Sequence, residues 1–241
     1  MNTLKNKVAL ITGGSKGIGY GIAIALMAEG IHVVVTSRSK ENAEKAAQNL
    51  NDLFRGDAKA LGLEADVRSM ESQQKVVDAI LDEFGQLDFV IANAGLGHFA
   101  SIEDLTQEQW QETIDTNLSG VFYTIKTTVE ALKKSKGYFI TISSLAGTNF
   151  FAKGAAYNAS KFGLTGFTQA VMLDLRQHEI KVSTIMPGSV STHFNGNDPD
   201  ERDAWKIQPE DLGEMVVNLL KMNPRTLPSK IEVRPSTPPT K

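Results

Sequence analysis

Tyr157 and Lys161 are the residues whose types and spacing point most directly to chemistry. On a helix, a spacing of four residues places both side chains on one face, within contact range. A free tyrosine has a pKa of about 10, and a neighbouring cation favours the phenolate and lowers that pKa. Such a tyrosine can donate or accept a proton in catalysis, although the same spacing also occurs on ordinary solvated helix faces.

Length and composition limit the kinds of protein that this chain can form. With 241 residues, it suits a single domain over residues 1–233, followed by an extended, proline-rich tail over residues 234–241. Its 25 basic and 28 acidic residues give a net charge of -3, which offers no electrostatic reason to bind nucleic acid or a membrane surface. It has no cysteine, and its four histidines lack ligand-like spacing, so we expect no metal site. Because it has neither a signal peptide nor an apolar run of membrane-spanning length, we expect a cytoplasmic protein.

Short apolar runs rich in β-branched residues alternate with segments of helical periodicity along most of the chain. This alternation predicts an α/β fold of the Rossmann type, a doubly wound parallel sheet of about seven strands with helices on both faces. The predicted strands are residues 8–12, 32–36, 58–64, 87–92, 138–143, 181–186 and 230–233. The predicted helices are residues 17–29, 40–54, 70–84, 107–134, 155–177 and 209–221. The segment 107–134 is long and contains Gly120, so we expect two helices or one interrupted helix there.

A glycine-rich turn joins the first predicted strand to the first predicted helix. Glycines in this position let the backbone approach a pyrophosphate, and the helix N-terminus supplies free N–H groups and a partial positive charge. The turn therefore predicts a nucleotide-binding site, and its glycine spacing is not that of an ATP-binding Walker loop. The expected contacts are Thr12, Gly13, Ser15, Lys16, Gly17, Ile18 and Gly19.

The end of the second predicted strand bears on the choice of cofactor. Ser37 stands where a protein that selects NAD is expected to place an acidic residue. Arg38 beside it, together with Lys16 in the glycine-rich turn, offers two cations to the 2′-phosphate of NADP(H). We therefore expect NADP(H) to be preferred over NAD(H). Two solvated surface cations are the alternative interpretation.

Several separate patterns make the chain resemble the short-chain dehydrogenase/reductase family over residues 7–221. The glycine-rich turn resembles the family's T-G-x3-G-x-G cofactor loop. Asn117 stands at the position of the active-site asparagine, and Ser144, thirteen residues before Tyr157, matches the catalytic serine. Further matching residues are expected to contact the cofactor: Asp66, Val67, Asn93, Ala94, Gly95, Pro187, Gly188, Val190 and Thr192.

The resemblance implies NADP(H)-dependent hydride transfer between nicotinamide and a carbonyl or alcohol substrate. It implies that Tyr157 is the general acid and base, that Lys161 lowers its pKa and binds the nicotinamide ribose, and that Ser144 binds the substrate oxygen. Asn117 would shape the active-site helix and support a water chain from the lysine. Ser143 competes with Ser144 for the serine position, since strand alternation lets only one of them face the pocket.

The resemblance leaves several substrates and assemblies open. Relatives of this size include reductases of 3-oxoacyl groups on acyl carrier protein, and Lys133, Lys134 and Lys136 form a basic cluster that would suit this acidic carrier. Lysines also suit any helix C-terminus, and the end of the chain lacks the pattern of those reductases, so another ketone, an aldehyde or a sugar is equally open. Substrate-selecting side chains are expected among residues 96–99, 145, 150, 151 and 189–205. The resemblance also implies a homodimer or homotetramer.

Two functions other than an active reductase fit parts of the sequence. A noncatalytic NADP-binding sensor or scaffold would be expected to have a broken active site, whereas Asn117, Ser144, Tyr157 and Lys161 are all present. A sugar-nucleotide epimerase would need a larger C-terminal substrate domain than the residues after Pro187 provide. Both alternatives therefore fit the chain less well than hydride transfer.

Overall fold

The computed structural model describes residues 4–238, which contain one sheet of seven parallel strands in the order β3-β2-β1-β4-β5-β6-β7. The strands are β1 (Val8–Ile11), β2 (His32–Ser37), β3 (Ala60–Glu64), β4 (Phe89–Ala92), β5 (Tyr138–Ile142), β6 (Lys181–Pro187) and β7 (Lys230–Val233). The helices are α1 (Gly17–Ala28), α2 (Lys40–Leu53), α3 (Met70–Phe84), α4 (Gln107–Ile114), α5 (Gly120–Ser135), α6 (Ala155–Leu175) and α7 (Pro209–Lys221). The predicted Rossmann-type fold is confirmed.

The two faces of the sheet are covered by different helices. Along β1, Ala9 and Ile11 face an apolar layer that includes residues of α1, α2 and α7. The alternate residues Val8 and Leu10 face a second layer that includes residues of α3, α5 and α6. Because both faces are buried, the inner strands read as continuous apolar runs rather than as alternating ones.

The predicted interruption in residues 107–134 is present as a π-helical turn. Helix α4 ends at Ile114, the π turn covers Asp115–Ser119, and α5 begins at Gly120. A π turn contains more residues than an α turn, so it changes which side chains face inward, and such turns are frequent at functional sites. Asn117 lies within this turn and is fully buried.

Polar side chains cap the first turn of helices α2, α3 and α4. The Ser39 hydroxyl accepts a hydrogen bond from the Asn42 N–H at the start of α2, and the Ser69 hydroxyl accepts one from the Ser72 N–H at the start of α3. Thr106 forms a capping box at the start of α4. Caps of this kind satisfy N–H groups that have no partner within the helix. Helix α1 differs, because no side chain caps its first N–H groups.

The tail lies beyond the edge strand β7. Residues 234–238 continue from β7 without forming a helix or a strand, and Pro235 is half-buried. The remaining tail residues, 239–241, lie outside the described part of the chain. Because β7 is parallel to its neighbour β6, both strands end at the same edge of the sheet. Residue 234 therefore leaves β7 at the edge where the loop after β6 begins.

Gln73 provides a test of how the layers are held together. Its buried Nε2 donates to the carbonyl oxygens of Val67 and Gly120, at 2.7 and 3.0 Å, and its Oε1 accepts from the Thr124 hydroxyl. Gln73→Ala leaves two buried carbonyl groups without this donor, so we expect unfolding to become easier by about 2 kcal/mol. Urea denaturation measures the change.

Gln74→Ala is the matched control for this prediction. Gln74 is exposed and hydrogen-bonds only to Asp78 among the described residues. Its removal should change the unfolding free energy by less than about 0.5 kcal/mol. Equal changes in unfolding free energy for the two substitutions would show that the buried amide of Gln73 does not stabilise the fold.

Candidate active site

The loops after β1 and β4 are locked together by Asn93. Its Nδ2 donates to the carbonyl oxygens of Thr12 and Gly13, both at 3.0 Å. In return, the Thr12 hydroxyl oxygen accepts from the backbone N–H groups of Asn93 and Ala94, at 3.0 and 3.1 Å. Gly13 has a φ of +63°, which a residue with a side chain rarely adopts. The glycine-rich turn is therefore held in one shape by side-chain and backbone contacts from the loop after β4.

Helix α1 begins unusually close to this turn. A methyl group on Gly19 would lie 2.6 Å from Asn93 Nδ2 and 2.8 Å from the Gly13 carbonyl oxygen, so no larger residue fits there. The uncapped N–H groups at the start of α1 give this end of the helix a partial positive charge. The close backbone approach at Gly19, the free N–H donors and the partial positive charge of the helix end together fit the pyrophosphate of a dinucleotide. Ile18 packs into the apolar layer below.

The residues expected to select the cofactor lie at the surface. The Gly14 N–H donates to the Thr36 carbonyl oxygen at 3.0 Å, which joins the glycine-rich turn, with Ser15 and Lys16, to the end of β2. The Arg38 side chain is 62% exposed, and its Nη1 lies 3.6 Å from Glu112 Oε1. Glu112 was not anticipated from the sequence, because it comes from α4, about 75 residues further along the chain. The Ser37 hydroxyl accepts from the Ser39 N–H.

Asp66 and Val67 follow β3. The Arg68 side chain donates to both carboxylate oxygens of Asp66, with the shortest contact at 2.6 Å, and this pairing lowers the pKa of Asp66 below its usual value. The Val67 carbonyl oxygen accepts from the Gln73 side chain, and its own side chain packs beside Gly120. The pair is thus fixed in place by neighbours that the motif itself does not reveal.

Asn117 connects the loop after β4 to α6. Its Oδ1 accepts from the Leu96 N–H at 2.9 Å, and its Nδ2 donates to the Leu96 carbonyl oxygen at 2.8 Å and to Ser160 Oγ at 3.0 Å. A methyl group on Gly95 would lie 3.2 Å from Asn117 Oδ1 and 3.7 Å from Lys161 Nζ. The three elements therefore meet around Asn117.

Lys161 is buried against the end of β5. Lys161 is only 4% exposed, and its Nζ donates to the Ile142 carbonyl oxygen at 3.0 Å. Nζ also lies 5.7 Å from the centre of the Tyr157 ring. Burial disfavours the charged amine and lowers the pKa of Lys161 to about 8.

The structure separates the two adjacent serines. Ser143 is buried, and its hydroxyl contacts the Lys161 carbonyl oxygen and the Thr165 hydroxyl at 3.3 and 3.1 Å. Ser144 lines the cavity described below together with Tyr157, and its hydroxyl contacts the Pro187 carbonyl oxygen and the Ala146 N–H at 3.5 and 3.1 Å. Strand alternation thus places Ser144, and not Ser143, beside the tyrosine.

Tyr157 is half-buried, and aromatic rings surround it. The ring centres of Phe99 and Phe194 lie 5.4 and 5.8 Å from that of Tyr157. Loss of water around the phenol raises the pKa of Tyr157, and the polar side chain of Ser144 only partly opposes this effect. The sequence predicts a lowered pKa for Tyr157, whereas in the protein alone burial is the larger influence and the pKa is raised.

A cavity of about 530 Å³ opens beside Ser144 and Tyr157. Its lining residues come from four segments of the chain: Ser144, Leu145, Ala146, Asn149, Phe150, Phe151, Tyr157, Gly188, Ser189, Trp205, Arg234, Pro235 and Pro238. Of the expected substrate-selecting positions, residues 145, 150, 151, 189 and 205 line this cavity. Phe99 and Phe194 instead pack on the Tyr157 ring, and residues 96–98 do not line the cavity. The tail residues were missed, although the parallel pairing of the last two strands would have pointed to them.

The loop after β6 lies between the glycine-rich turn and this cavity. The Pro187 carbonyl oxygen is 3.5 Å from Ser144 Oγ, and Gly188 lines the cavity. Val190 pairs with Ile207, and a methyl group on Gly17 would lie 3.4 Å from the Thr192 side chain. The expected nicotinamide-side residues therefore lie between the two parts of the site.

Glu112 is the centre of a cluster of charged residues near the site. Glu112 contacts Arg38, Arg68 and His98, with the His98 Nε2 at 2.9 Å.

Within residues 4–238, no three or more acidic or histidine side chains come together as potential ligands of a metal ion. Over the same residues, no helix has the length and apolar character needed to cross a bilayer.

The buried amine of Lys161 makes stability depend on pH. Its folded-state pKa of about 8 is below the ordinary 10.5, so the folded protein releases this proton first and becomes more stable as pH rises between those values. From about pH 7.5 to about pH 9.5, the unfolding free energy of the cofactor-free protein should rise by roughly 2 kcal/mol relative to Lys161→Met. Urea denaturation of both proteins across this range measures it, and a constant difference would contradict the assigned burial.

Comparison with known proteins places the chain in one family. The family model for short chain dehydrogenase matches residues 7–203. A trans-4-hydroxycyclohexanecarboxylate dehydrogenase of Sinomonas cyclohexanicum is 36% identical over 216 residues, covering 86% of this chain and 83% of that protein. An alcohol dehydrogenase of Thermococcus sibiricus complexed with 5-hydroxy-NADP has a TM-score of 0.90 and 30% identity, over 98% of this chain and 99% of that one. A 3-ketoacyl-(acyl-carrier-protein) reductase of Brucella melitensis complexed with NADH has a TM-score of 0.87 and 27% identity, over 97% and 98%. The chain is a member of the short-chain dehydrogenase/reductase family of oxidoreductases.

Proposed function

We propose that this protein transfers a hydride between NADP(H) and the carbonyl or alcohol carbon of a small organic substrate. The observation that carries the proposal is that Ser144 and Tyr157 line the same cavity, with the buried amine of Lys161 5.7 Å from the centre of the Tyr157 ring. A hydroxyl pair facing a largely apolar cavity suits a carbonyl oxygen on which negative charge develops. The nicotinamide, when bound, supplies or accepts the hydride.

The proton is handled by Tyr157. Because burial raises the pKa of Tyr157, its hydroxyl is protonated at neutral pH and is available to the substrate oxygen during carbonyl reduction. Ser144 donates a hydrogen bond to the same oxygen as charge develops there. Carbonyl reduction leaves Tyr157 as the phenolate, and in the reverse direction this phenolate takes up the proton of the alcohol. Lys161, whose pKa of about 8 leaves it mainly charged at neutral pH, stabilises the phenolate form.

The cofactor would extend along the carboxyl edge of the sheet. Lys161 would hold the nicotinamide ribose, and Asn117 positions the loop after β4 through its contacts with Leu96 and Ser160. The glycine-rich turn would hold the pyrophosphate. The remaining contacts are assigned to Asp66 and Val67 on the adenine side, and to Asn93, Ala94, Gly95, Pro187, Gly188, Val190 and Thr192 on the nicotinamide side.

Selectivity for NADP(H) is assigned to the two exposed cations near the end of β2. Arg38 offers a planar fork of donors that suits a phosphate, Lys16 adds a second charge, and Ser37 adds none of the negative charge that would repel it. The exposed contact between Arg38 and Glu112 is weak enough for a phosphate dianion to displace it. Structures of related proteins do not decide between NADP(H) and NAD(H), since the Thermococcus sibiricus protein holds an NADP derivative and the Brucella melitensis protein holds NADH.

A small carbonyl compound suits the structure better than a protein-bound thioester. Lys133, Lys134 and Lys136 lie just before β5, at the opposite edge of the sheet from Ser144, and a strand of five residues spans about 15 Å. Lys133 and Lys136 are also paired with Glu130 and Glu179. An acyl carrier protein bound to this cluster would be far from the cavity. A ketone, an aldehyde or a sugar therefore takes precedence over 3-oxoacyl-acyl carrier protein.

A homodimer or homotetramer would cover an exposed aromatic face. Trp110 on α4, Phe122 on α5 and Phe162 on α6 are each at least 40% exposed. The ring centres of Phe122 and Phe167 lie 6.3 Å apart, so the aromatic surface continues from α5 to α6. Large apolar groups clustered at a surface are typical of contacts with other chains. We assign this face to a second copy of the chain.

Substitution of Tyr157 and of the two serines tests the catalytic assignment. Tyr157→Phe should leave the Kd for NADPH within about twofold and lower kcat at least about 100-fold, because the proton donor is lost. Ser144→Ala should lower kcat by about 100-fold through loss of the oxyanion donor. Fluorescence titration and NADPH oxidation, with a panel of ketones and aldehydes, measure the two quantities.

Ser143→Ala is the matched control, since Ser143 is adjacent in sequence but faces away from the cavity. It should retain kcat within a few-fold. Turnover by Tyr157→Phe at the wild-type rate would reject the proposed acid. A fully active Ser144→Ala combined with an inactive Ser143→Ala would reverse the serine assignment.

Arg38→Ala tests the choice of cofactor. Loss of the guanidinium should raise KM for NADPH at least about tenfold and leave KM for NADH nearly unchanged, because only NADPH carries the 2′-phosphate. Lys40→Ala, which removes a neighbouring exposed cation paired with Glu44, should affect neither constant. A wild-type preference for NADH would contradict the assignment.

A further inference from the structure

Residues 234–238 of the C-terminal tail form one wall of the candidate substrate cavity. The Gly188 N–H donates to the Val233 carbonyl oxygen at 2.8 Å, and a methyl group on Gly188 would lie 3.3 Å from Pro235 Cδ. The chain therefore crosses directly over the loop after β6 as it leaves the sheet. Arg234, Pro235 and Pro238 line the same cavity as Ser144 and Tyr157.

Arg234 is the one formally charged residue among those that line the cavity in the described chain. Most other lining side chains are apolar, including Leu145, Phe150, Phe151 and Trp205, and none carries a carboxylate. An apolar cavity with a few placed polar groups orients a small ligand, and a single guanidinium selects for a complementary anion. The cavity thus has hydroxyl groups for a reacting oxygen and a cation for a second, negatively charged group.

The Arg234 guanidinium makes only a weak, exposed contact with Glu232. Its Nη2 lies 3.0 Å from Glu232 Oε2, and the two side chains are 57% and 38% exposed. An exposed pair of this kind contributes little stability, and Glu232 does not line the cavity. Arginine carries five N–H donors, and in residues 4–238 Nη2 alone has a protein acceptor. The other donors are available to a ligand carboxylate, which an arginine fork can bind through two parallel hydrogen bonds.

We propose that Arg234 binds a carboxylate on the substrate, so that the protein acts on carbonyl acids, or the matching hydroxy acids, with an apolar carbon frame. The reacting oxygen lies at Ser144 and Tyr157, the frame lies among the aromatic and proline side chains, and the carboxylate lies at Arg234. This inference rests on the proposed hydride transfer and deepens it. It also gives the tail a function in substrate selection.

Matched pairs of acids and methyl esters test the proposal. Suitable pairs are 4-oxopentanoate, 4-oxocyclohexanecarboxylate and 4-acetylbenzoate, each with its methyl ester, assayed by NADPH oxidation. The wild-type protein should favour the best acid over its ester at least about tenfold in kcat/KM, chiefly through KM. Arg234→Gln should lower kcat/KM for that acid at least about tenfold and change the value for the ester less than about twofold.

Two further variants separate charge from structure. Arg234→Lys keeps the charge but loses the fork, so the preference for the acid should fall to an intermediate value. Glu232→Gln removes the carboxylate that competes for Arg234, so kcat/KM for the acid should stay equal or rise. A decrease equal to that of Arg234→Gln would mean that disturbance of β7, and not loss of the cation, explains the effect, and the proposal would fail.

A binding measurement distinguishes failure of this inference from failure of the proposed function. In Tyr157→Phe with excess NADP⁺, calorimetry should show tighter binding of the acid than of its ester, and Arg234→Gln in that background should abolish the difference. If this holds while no carbonyl compound is turned over by the wild type, the hydride-transfer proposal alone is wrong. Equal binding of acids and esters overturns the role of Arg234.

A phosphorylated thioester is the competing source of negative charge. Acetoacetyl-phosphopantetheine and neutral acetoacetyl-N-acetylcysteamine form the corresponding pair. A preference for the phosphorylated thioester above every carbonyl acid, lost in Arg234→Gln, would place a phosphate at this residue and overturn the assignment of a carboxylate.

Discussion

The buried amino group of Lys161 is the constraint on which the arrangement of the site depends. Its hydrogen bond to the Ile142 carbonyl oxygen ties α6 to the end of β5. Tyr157 lies one turn earlier on the same helix, and Ser144 follows the same strand, so this contact brings the phenol and the hydroxyl together. The cost of burying the amine appears as its pKa of about 8. Lys161 is therefore both a link between two elements and a charge close to the tyrosine.

Two side-chain amides extend this constraint across the carboxyl edge of the sheet. Asn93 holds the glycine-rich turn, and Asn117 holds the loop after β4 and contacts Ser160 on α6. Each amide supplies hydrogen bonds to backbone groups of loops, which have no partners within a strand or helix. The parts assigned to the pyrophosphate, the nicotinamide and the substrate are thus linked through side chains. The shape of the site follows from this network as much as from the sheet itself.

Periodicity and motifs predict the fold and the chemically active residues, because both are local properties of the sequence. The strand alternation separates Ser143 from Ser144, and the spacing of four places Lys161 beside Tyr157. Contacts between distant segments are not local, so Glu112 beside Arg38 could not be predicted in the same way, and the place of the tail at the cavity follows only from the parallel pairing of β6 with β7. The pKa of Tyr157 was also predicted wrongly. The motif shows the neighbouring cation, but burial by surrounding rings depends on the folded structure.

The central claim is that Tyr157 is the proton donor in carbonyl reduction and that burial raises the pKa of its phenol in the protein without cofactor. The most direct measurement is the ionisation of this one phenol. It is obtained as the difference in phenolate absorbance between the wild-type protein and Tyr157→Phe during a pH titration without cofactor. The account predicts a midpoint above the pKa of about 10 of a free tyrosine. A midpoint at or below that value would contradict it.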